Sequence, residues 1–231
     1  MSKIPRRKKC YPDVAEVLHR NIIGAAKNAG VEHAVMPFFG TILGFVREGG
    51  VIPWDKDMDY IVLGDKITKE QELKFLEELE VFGVREYLLP RQKRVKMNND
   101  TDRAVYTKLM QGRYPRQLGS CLFFFQKYDD YYWHTTAHRG GAHMVRTSDC
   151  GSHEYIMKGL PCSLFSPLKK MTCYGTSFFI PERIEELLEL MYGDWKTPQN
   201  VGSIAPKMII LSDWKDRETW REVKEFRVRG T

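Results

Sequence analysis

The chain has 231 residues, a formal net charge of +6 at pH 7 and a pI of about 9.0. Hydrophobic residues make up 42% and charged residues 29%, which fits a globular protein and excludes disordered and collagen-like chains. No apolar run approaches the roughly 20 residues of a membrane-spanning helix, and the basic surplus points to an acidic partner: a nucleoside diphosphate, a phosphorylated glycan or an anionic membrane. Nucleic acid is disfavoured, because no recognition motif accompanies the charge.

Residues 1–12 read as a basic tail, with Lys3, Arg6, Arg7, Lys8 and Lys9, of the kind that is usually a solvated end. This N-terminus has no apolar signal-peptide core. The five cysteines (Cys10, Cys121, Cys150, Cys162 and Cys173) are odd in number and irregularly spaced. They fit reduced thiols, and together these features predict a cytoplasmic protein with no transmembrane segment.

Asp13–Ala29 is predicted to be a helix, opened by Asp13 with Glu16 three residues on and stopped by Gly30. Val14, Val17, Leu18, Ile22 and Ala25 form its apolar stripe. A first strand follows over Val31–Phe39. Gly40-Thr41 then turns the chain, Ile42–Val46 has the composition of one or two helical turns, and Gly49-Gly50 breaks them. Asp55, Asp57 and Asp59 come next at spacing two, leading into a strand over Met58–Leu63.

That spacing carries chemistry. On a strand, residues two apart share a face, so Asp57 and Asp59 present two carboxylates side by side. Their mutual repulsion is relieved by a proton or by a cation. Oxygen-only ligands suit Mg²⁺ or Mn²⁺, and Mg²⁺ commonly takes one or two carboxylates plus water and substrate phosphates. Gly40 and Thr41, opening a helix, supply N–H groups and a hydroxyl where a phosphate docks. A phosphate cradle followed by a carboxylate pair describes a phosphoryl-transfer site. The plain alternative for Asp-x-Asp-x-Asp is a polar loop or a solvated strand edge.

Further along, Thr68–Val81 reads as a helix with a Thr68/Gln71 capping box. Val84–Leu89 and Arg94–Lys96 are strand candidates separated by basic residues. Leu118–Tyr128 is the strongest central strand by aromatic density. Tyr131–Tyr155, rich in aromatic, His and Gly residues, is read as a loop over the active site or a polar hairpin. In the first reading Tyr131, Tyr132 and Trp133 stack on sugar or base. His138, His143, Cys150 and His153 offer a zinc alternative, although their spacing fits no standard site. Leu168–Ile180 reads as a hairpin turning at Tyr174-Gly175. Pro181 is expected to start a helix whose Ile184, Leu187, Leu188 and Met191 form one face, with Gly193 ending it. Trp220, Val223 and Phe226 suggest a last short helix.

The run Gly40-Thr41-Ile42-Leu43-Gly44-Phe45-Val46-Arg47, with Gly49-Gly50, Ile52-Pro53-Trp54-Asp55 and Asp57-Met58-Asp59, resembles the signature of the LicD family of phosphotransferases, which includes fukutin and fukutin-related protein. A second block, Ser163 to Pro198, is similar to the family's Phe-x-Pro-Leu, Ile-Pro plus leucine-rich helix, and Tyr-Gly-x-x-x-x-Pro pattern. The resemblance implies an α/β (α+β) nucleotidyltransferase-like fold, a mixed β-sheet flanked by helices, and residues 13–231 are expected to form that single domain. It implies transfer of a phospho-alcohol, such as phosphocholine or ribitol phosphate, from a CDP-linked donor to a glycan hydroxyl, with release of CMP.

Under this reading Asp57 and Asp59 hold Mg²⁺ or Mn²⁺, and Gly40 and Thr41 hold a phosphate. Asp55 is a second metal ligand or the base, its alternative being a turn cap after Trp54. Arg47 is a second cation at the phosphates, its alternative being a salt bridge with Glu48 or an aspartate. The chain departs from fukutin-like sequences at Cys121, where an aspartate is expected. Asp129 or Asp130 then substitutes, or Asp57 and Asp59 suffice, or the chain is a non-catalytic nucleotide- or glycan-binding relative. Nucleotidyl transfer with release of pyrophosphate is the other enzymatic alternative.

Overall fold

The computed structural model describes residues 12–55, 57–86, 94–97, 101–104, 106–113, 116–128, 130–138, 154–198 and 209–210. The chain enters through α1 (Pro12–Asn28), β1 (Val35–Phe38) and α2 (Phe39–Glu48), then β2 (Asp57–Leu63) and α3 (Lys69–Val81). A run of strands follows: β3 (Arg85–Glu86), β4 (Arg94–Met97), β5 (Thr101–Ala104), β6 (Tyr106–Arg113), β7 (Arg116–Tyr128), β8 (Tyr131–His138) and β9 (Glu154–Pro161). It closes with the hairpin β10 (Leu168–Cys173) and β11 (Thr176–Pro181), then α4 (Ile184–Tyr192) and β12 (Ile209–Ile210).

Among the described residues the main sheet has eight strands. Its path is β1-β2-β7-β8-β9-β12, with β6 also on β7 and β3 on β6. β2 and β7 run parallel, and the other pairs are antiparallel, so the sheet is mixed. This is an α/β mixed fold with helices against a mixed sheet. β4 and β5 form a separate two-stranded piece, as do β10 and β11.

Local chemistry explains several of these elements. Pro37 sits in β1 at the end of the sheet path, where a missing N–H is tolerated. α3 carries the capping box: the Gln71 N–H donates to the Thr68 hydroxyl at 3.2 Å, and the Thr68 N–H donates to Gln71 Oε1 at 3.0 Å. Tyr174 and Gly175 both take positive φ, 50° and 67°, as a two-residue hairpin turn of the primed type requires. Ile184, Leu187, Leu188 and Met191 are all buried on one face of α4, each contributing about 1.5–3 kcal/mol of apolar transfer.

Three expectations need correction. The second helix starts at Phe39, so Gly40 and Thr41 lie inside its first turn and not in a turn before it. Pro181 closes β11, paired with Leu168, and α4 begins only at Ile184. A proline's fixed φ suits a strand end as well as a helix start, and here the hairpin pairing decides. Of the two readings of Tyr131–Tyr155, the loop over the site gives way to the hairpin: β8 runs as far as His138 and pairs antiparallel with β9, which begins at Glu154. Tyr132 there is buried and edge-on to Phe165 at 5.1 Å, a core ring and not a stacking platform. His143, Cys150, His153, Asp129 and the Trp220 segment lie outside the described residues.

α1 packs on α3 and on the sheet. Its one polar core residue is His19, fully buried, with Nδ1 2.9 Å from the Tyr60 hydroxyl. The His19 ring meets Phe45 and Phe178 edge-on at 4.9 and 4.7 Å. Burial therefore lowers its pKa from 6.5 to about 3.

Candidate active site

β1 passes directly into α2, with no residue between Phe38 and Phe39. Phe39 has φ of +47°, in the left-handed region. For a bulky side chain that conformation costs on the order of 1–3 kcal/mol and persists only where the surroundings impose it. The imposing contacts are aromatic: the Phe39 ring is edge-on to Phe38 at 5.0 Å and to Phe123 of β7 at 5.2 Å. The turn brings α2 against β1 and β2.

Two glycines let the next segment fold back along α2. A Cβ on Gly44 would lie 2.6 Å from the Gly50 carbonyl and 2.9 Å from the Ile52 nitrogen, so backbone meets backbone there. A Cβ on Gly40 would lie 2.5 Å from Asp55 Oδ2. Asp55 thus rests its carboxylate against the start of α2, where the helix dipole favours negative charge. It stands in a turn before β2, its N–H donating to the Ile52 carbonyl at 2.9 Å. Trp54 beside it is 45% exposed.

β2 then places Asp57 and Asp59 on one face, alternating with buried Met58 and Tyr60. Across the parallel β2–β7 pairing, Asp59 is in register with Cys121. One ligand atom from each of Asp57, Asp59 and Cys121 lies within 4.8 Å of the others. Thr41 fixes this cluster to α2: its hydroxyl accepts the Asp59 backbone N–H at 2.7 Å. The hydroxyl assigned to phosphate binding from the sequence is therefore engaged in holding the strand that carries the carboxylates.

Burial, followed by the charges of Asp57 and then Asp55, pushes the Asp59 carboxyl well above the usual carboxylate range, while a hydrogen bond from Cys121 acts the other way. A carboxyl that resists ionisation beside two others is a place where positive charge is stabilised. The donor set of two carboxylates and a thiol fits a divalent cation.

Tyr192, at the end of α4, completes the surroundings. Its phenol is pushed up first by burial and then by the charges of Asp59 and Asp55, which puts it electrostatically beside both. Nothing in the local pattern of α4 marks Tyr192 as different from the core positions before it; the clue available was the Tyr-Gly pair itself.

The C-terminal block also clamps the glycine turn. The Val51 N–H donates to the Tyr174 hydroxyl at 2.9 Å, and the Cys173 thiol donates to the Gly49 carbonyl at 3.5 Å. Arg47 belongs to this clamp. Its Nε donates to Glu48 at 2.7 Å and its Nη1 to the Trp195 carbonyl at 3.0 Å. It stands about 9 Å along the helix axis from Thr41, at the opposite end of α2 from the aspartates.

Asp130 does not join the cluster. It lies nine residues past Cys121, beyond the far end of β7, where its carbonyl accepts the Cys162 N–H at 2.7 Å. The seven residues of β7 from Cys121 to Tyr128 alone span roughly 23 Å at about 3.3 Å per residue.

A family model described as "LicD/FKTN/FKRP, nucleotidyltransferase domain" matches residues 34–183, which include α2, β2, β7 and the β10–β11 hairpin. No curated protein matches the chain. Among the described residues, no helix is long and apolar enough to cross a membrane.

Proposed function

For a chain that belongs to the LicD/FKTN/FKRP family, we propose a cation-dependent phosphotransferase that moves a phospho-alcohol from a CDP-linked donor to a glycan hydroxyl and releases CMP. The family supports a phosphotransferase-type role in glycan or cell-surface modification. The observation that carries the finer reading is the convergence of Asp57 and Asp59 beside the first turn of α2.

Asp57 and Asp59 would hold Mg²⁺ or Mn²⁺, and a bound cation there offsets the charge that develops on the donor's diphosphate. The protein's own residues do the rest by positioning and by charge. Thr41 holds Asp59 in place. Gly40, lacking a side chain, leaves the Asp55 carboxylate room at the helix start. Asp55 is our choice for the base: the acceptor hydroxyl gives it a proton as its oxygen bonds to the phosphorus bearing the alcohol, and the bond from that phosphorus to CMP breaks. Tyr192, kept protonated by burial and by two neighbouring carboxylates, supplies a hydroxyl donor. Arg47 supports the site from a distance by tying α2 to the segment after α4. We treat residues 13–231 as one domain organised around this site.

Product analysis tests the reading. Incubation with CDP-choline or CDP-ribitol, a glycan acceptor and a divalent cation should release CMP and no pyrophosphate. Pyrophosphate from a nucleoside triphosphate would instead mark a nucleotidyltransferase. Cation-independent binding without turnover would mark a non-catalytic relative.

A further inference from the structure

We infer that Cys121 is a third ligand of the cation and sets its identity: a borderline divalent ion between Mn²⁺ and Zn²⁺ in the first transition row, in preference to Mg²⁺. The inference rests on the reading that Asp57 and Asp59 hold a cation.

The sheet itself places the sulfur. Asp59 and Cys121 are partners in the parallel pairing of β2 with β7, so their side chains leave neighbouring strands on the same face, about 4.8 Å apart at the backbone. Their ligand atoms, with that of Asp57, are within 4.8 Å of one another. Bound oxygen and sulfur ligands sit about 2.0–2.3 Å from an ion such as Zn²⁺, so small side-chain rotations suffice to close the set. Cys121 is 7% exposed, and a buried cysteine is ordinarily a small hydrophobe. Here the sulfur instead lies within 4.8 Å of a carboxylate oxygen of both Asp57 and Asp59, so it faces the carboxylates.

Donor chemistry then discriminates between ions. Mg²⁺ demands near-octahedral oxygen ligands and dehydrates reluctantly, so a sulfur in its shell gives little in return. Later first-row ions bind mixed oxygen–sulfur sets more tightly, following the Irving–Williams order as far as Cu²⁺, with Zn²⁺ just below it. On binding, the thiol loses its proton to solvent and the sulfur takes up the metal bond, leaving a set of two carboxylates and one thiolate.

Co²⁺ titration of the metal-free full-length protein reads the sulfur directly. Wild type should develop a near-ultraviolet thiolate-to-cobalt absorption that saturates with Co²⁺. Cys121→Ser should bind Co²⁺ without that band, and Asp57→Asn/Asp59→Asn should lose binding. In competition, Zn²⁺ should displace Co²⁺ from wild type far more readily than Mg²⁺ does. Cys121→Asp, which makes the set all oxygen, should move the Zn²⁺-to-Mg²⁺ preference at least tenfold toward Mg²⁺. Co²⁺ binding that needs both aspartates but shows no thiolate band, or an ion preference unmoved in both Cys121 variants, would overturn the role of Cys121 and leave the two-aspartate site standing. Absence of Co²⁺ binding in wild type would overturn both.

Discussion

The Thr41 hydroxyl accepts the backbone N–H of Asp59 at 2.7 Å, and this bond ties the first turn of α2 to the carboxylate strand on which the helix packs. Thr41 is buried, so water does not readily replace the bond. The threonine of the Gly-Thr pair works on the protein before it works on any ligand.

Thr41→Val keeps the shape and removes the acceptor. The Asp59 N–H is then left without its partner, at a cost of about 1–3 kcal/mol. Chemical denaturation should report that loss, and cation affinity should fall with it because Asp59 is no longer fixed. Thr41→Ser should recover most of both. A valine variant as stable as wild type would show that the bond contributes nothing.

Gly40→Ala sets two effects against each other. Alanine is favoured over glycine in a helix by about 1 kcal/mol, but the new Cβ would meet Asp55 Oδ2 at 2.5 Å. The carboxylate must move, so the variant should fold, keep near-normal stability and lose transferase activity tenfold or more. Full activity would remove Asp55 from the chemistry.

The core pair His19–Tyr60 predicts acid sensitivity. In the unfolded chain the imidazole takes a proton below about pH 6.5, whereas in the folded protein it resists until about pH 3. Between these values the unfolded state binds more protons, so stability falls as pH falls, by a few kcal/mol in all. His19→Leu combined with Tyr60→Phe removes both polar groups and should flatten the pH dependence of the melting temperature across that window. An unchanged slope would assign the acid sensitivity to other groups.

Asp59 has the opposite sign. Its folded carboxyl titrates above the ordinary 3.8, so the metal-free protein loses stability as pH rises from that value through the folded pKa. At neutral pH, Asp59→Asn should therefore melt higher than wild type when both are metal-free. Wild type should gain about 2.7 kcal/mol with cation at a hundredfold excess over Kd, and the variant should gain almost none. This is the trade of stability for function expected at an active site.

Much of this site was legible because the signals were local. The Asp57–Asp59 spacing fixed a shared face, the Thr68/Gln71 box fixed the start of α3, and Tyr174-Gly175 fixed a turn. What stayed hidden depends on distant contacts. The left-handed Phe39 carries no sequence mark, since the rings of Phe38 and Phe123 hold it there. The Glu48 partner of Arg47 was among the sequence expectations, but its bond to the Trp195 carbonyl, far along the chain, was not. Tyr192 reads as one more helix residue until the charges of Asp59 and Asp55 are seen to act on its phenol. β6 escaped notice because Tyr106–Arg113 shows little alternation, and its identity as a strand comes from pairing with β7.

The central claim is that Asp57 and Asp59 hold a cation that receives the diphosphate of a CDP-linked donor. Isothermal titration of CDP-choline and of CDP-ribitol, with and without divalent cation, tests it on wild type and on Asp57→Asn/Asp59→Asn. The account predicts binding of at least one donor that requires the cation and disappears in the double variant. Binding indifferent to both cation and substitution would contradict it.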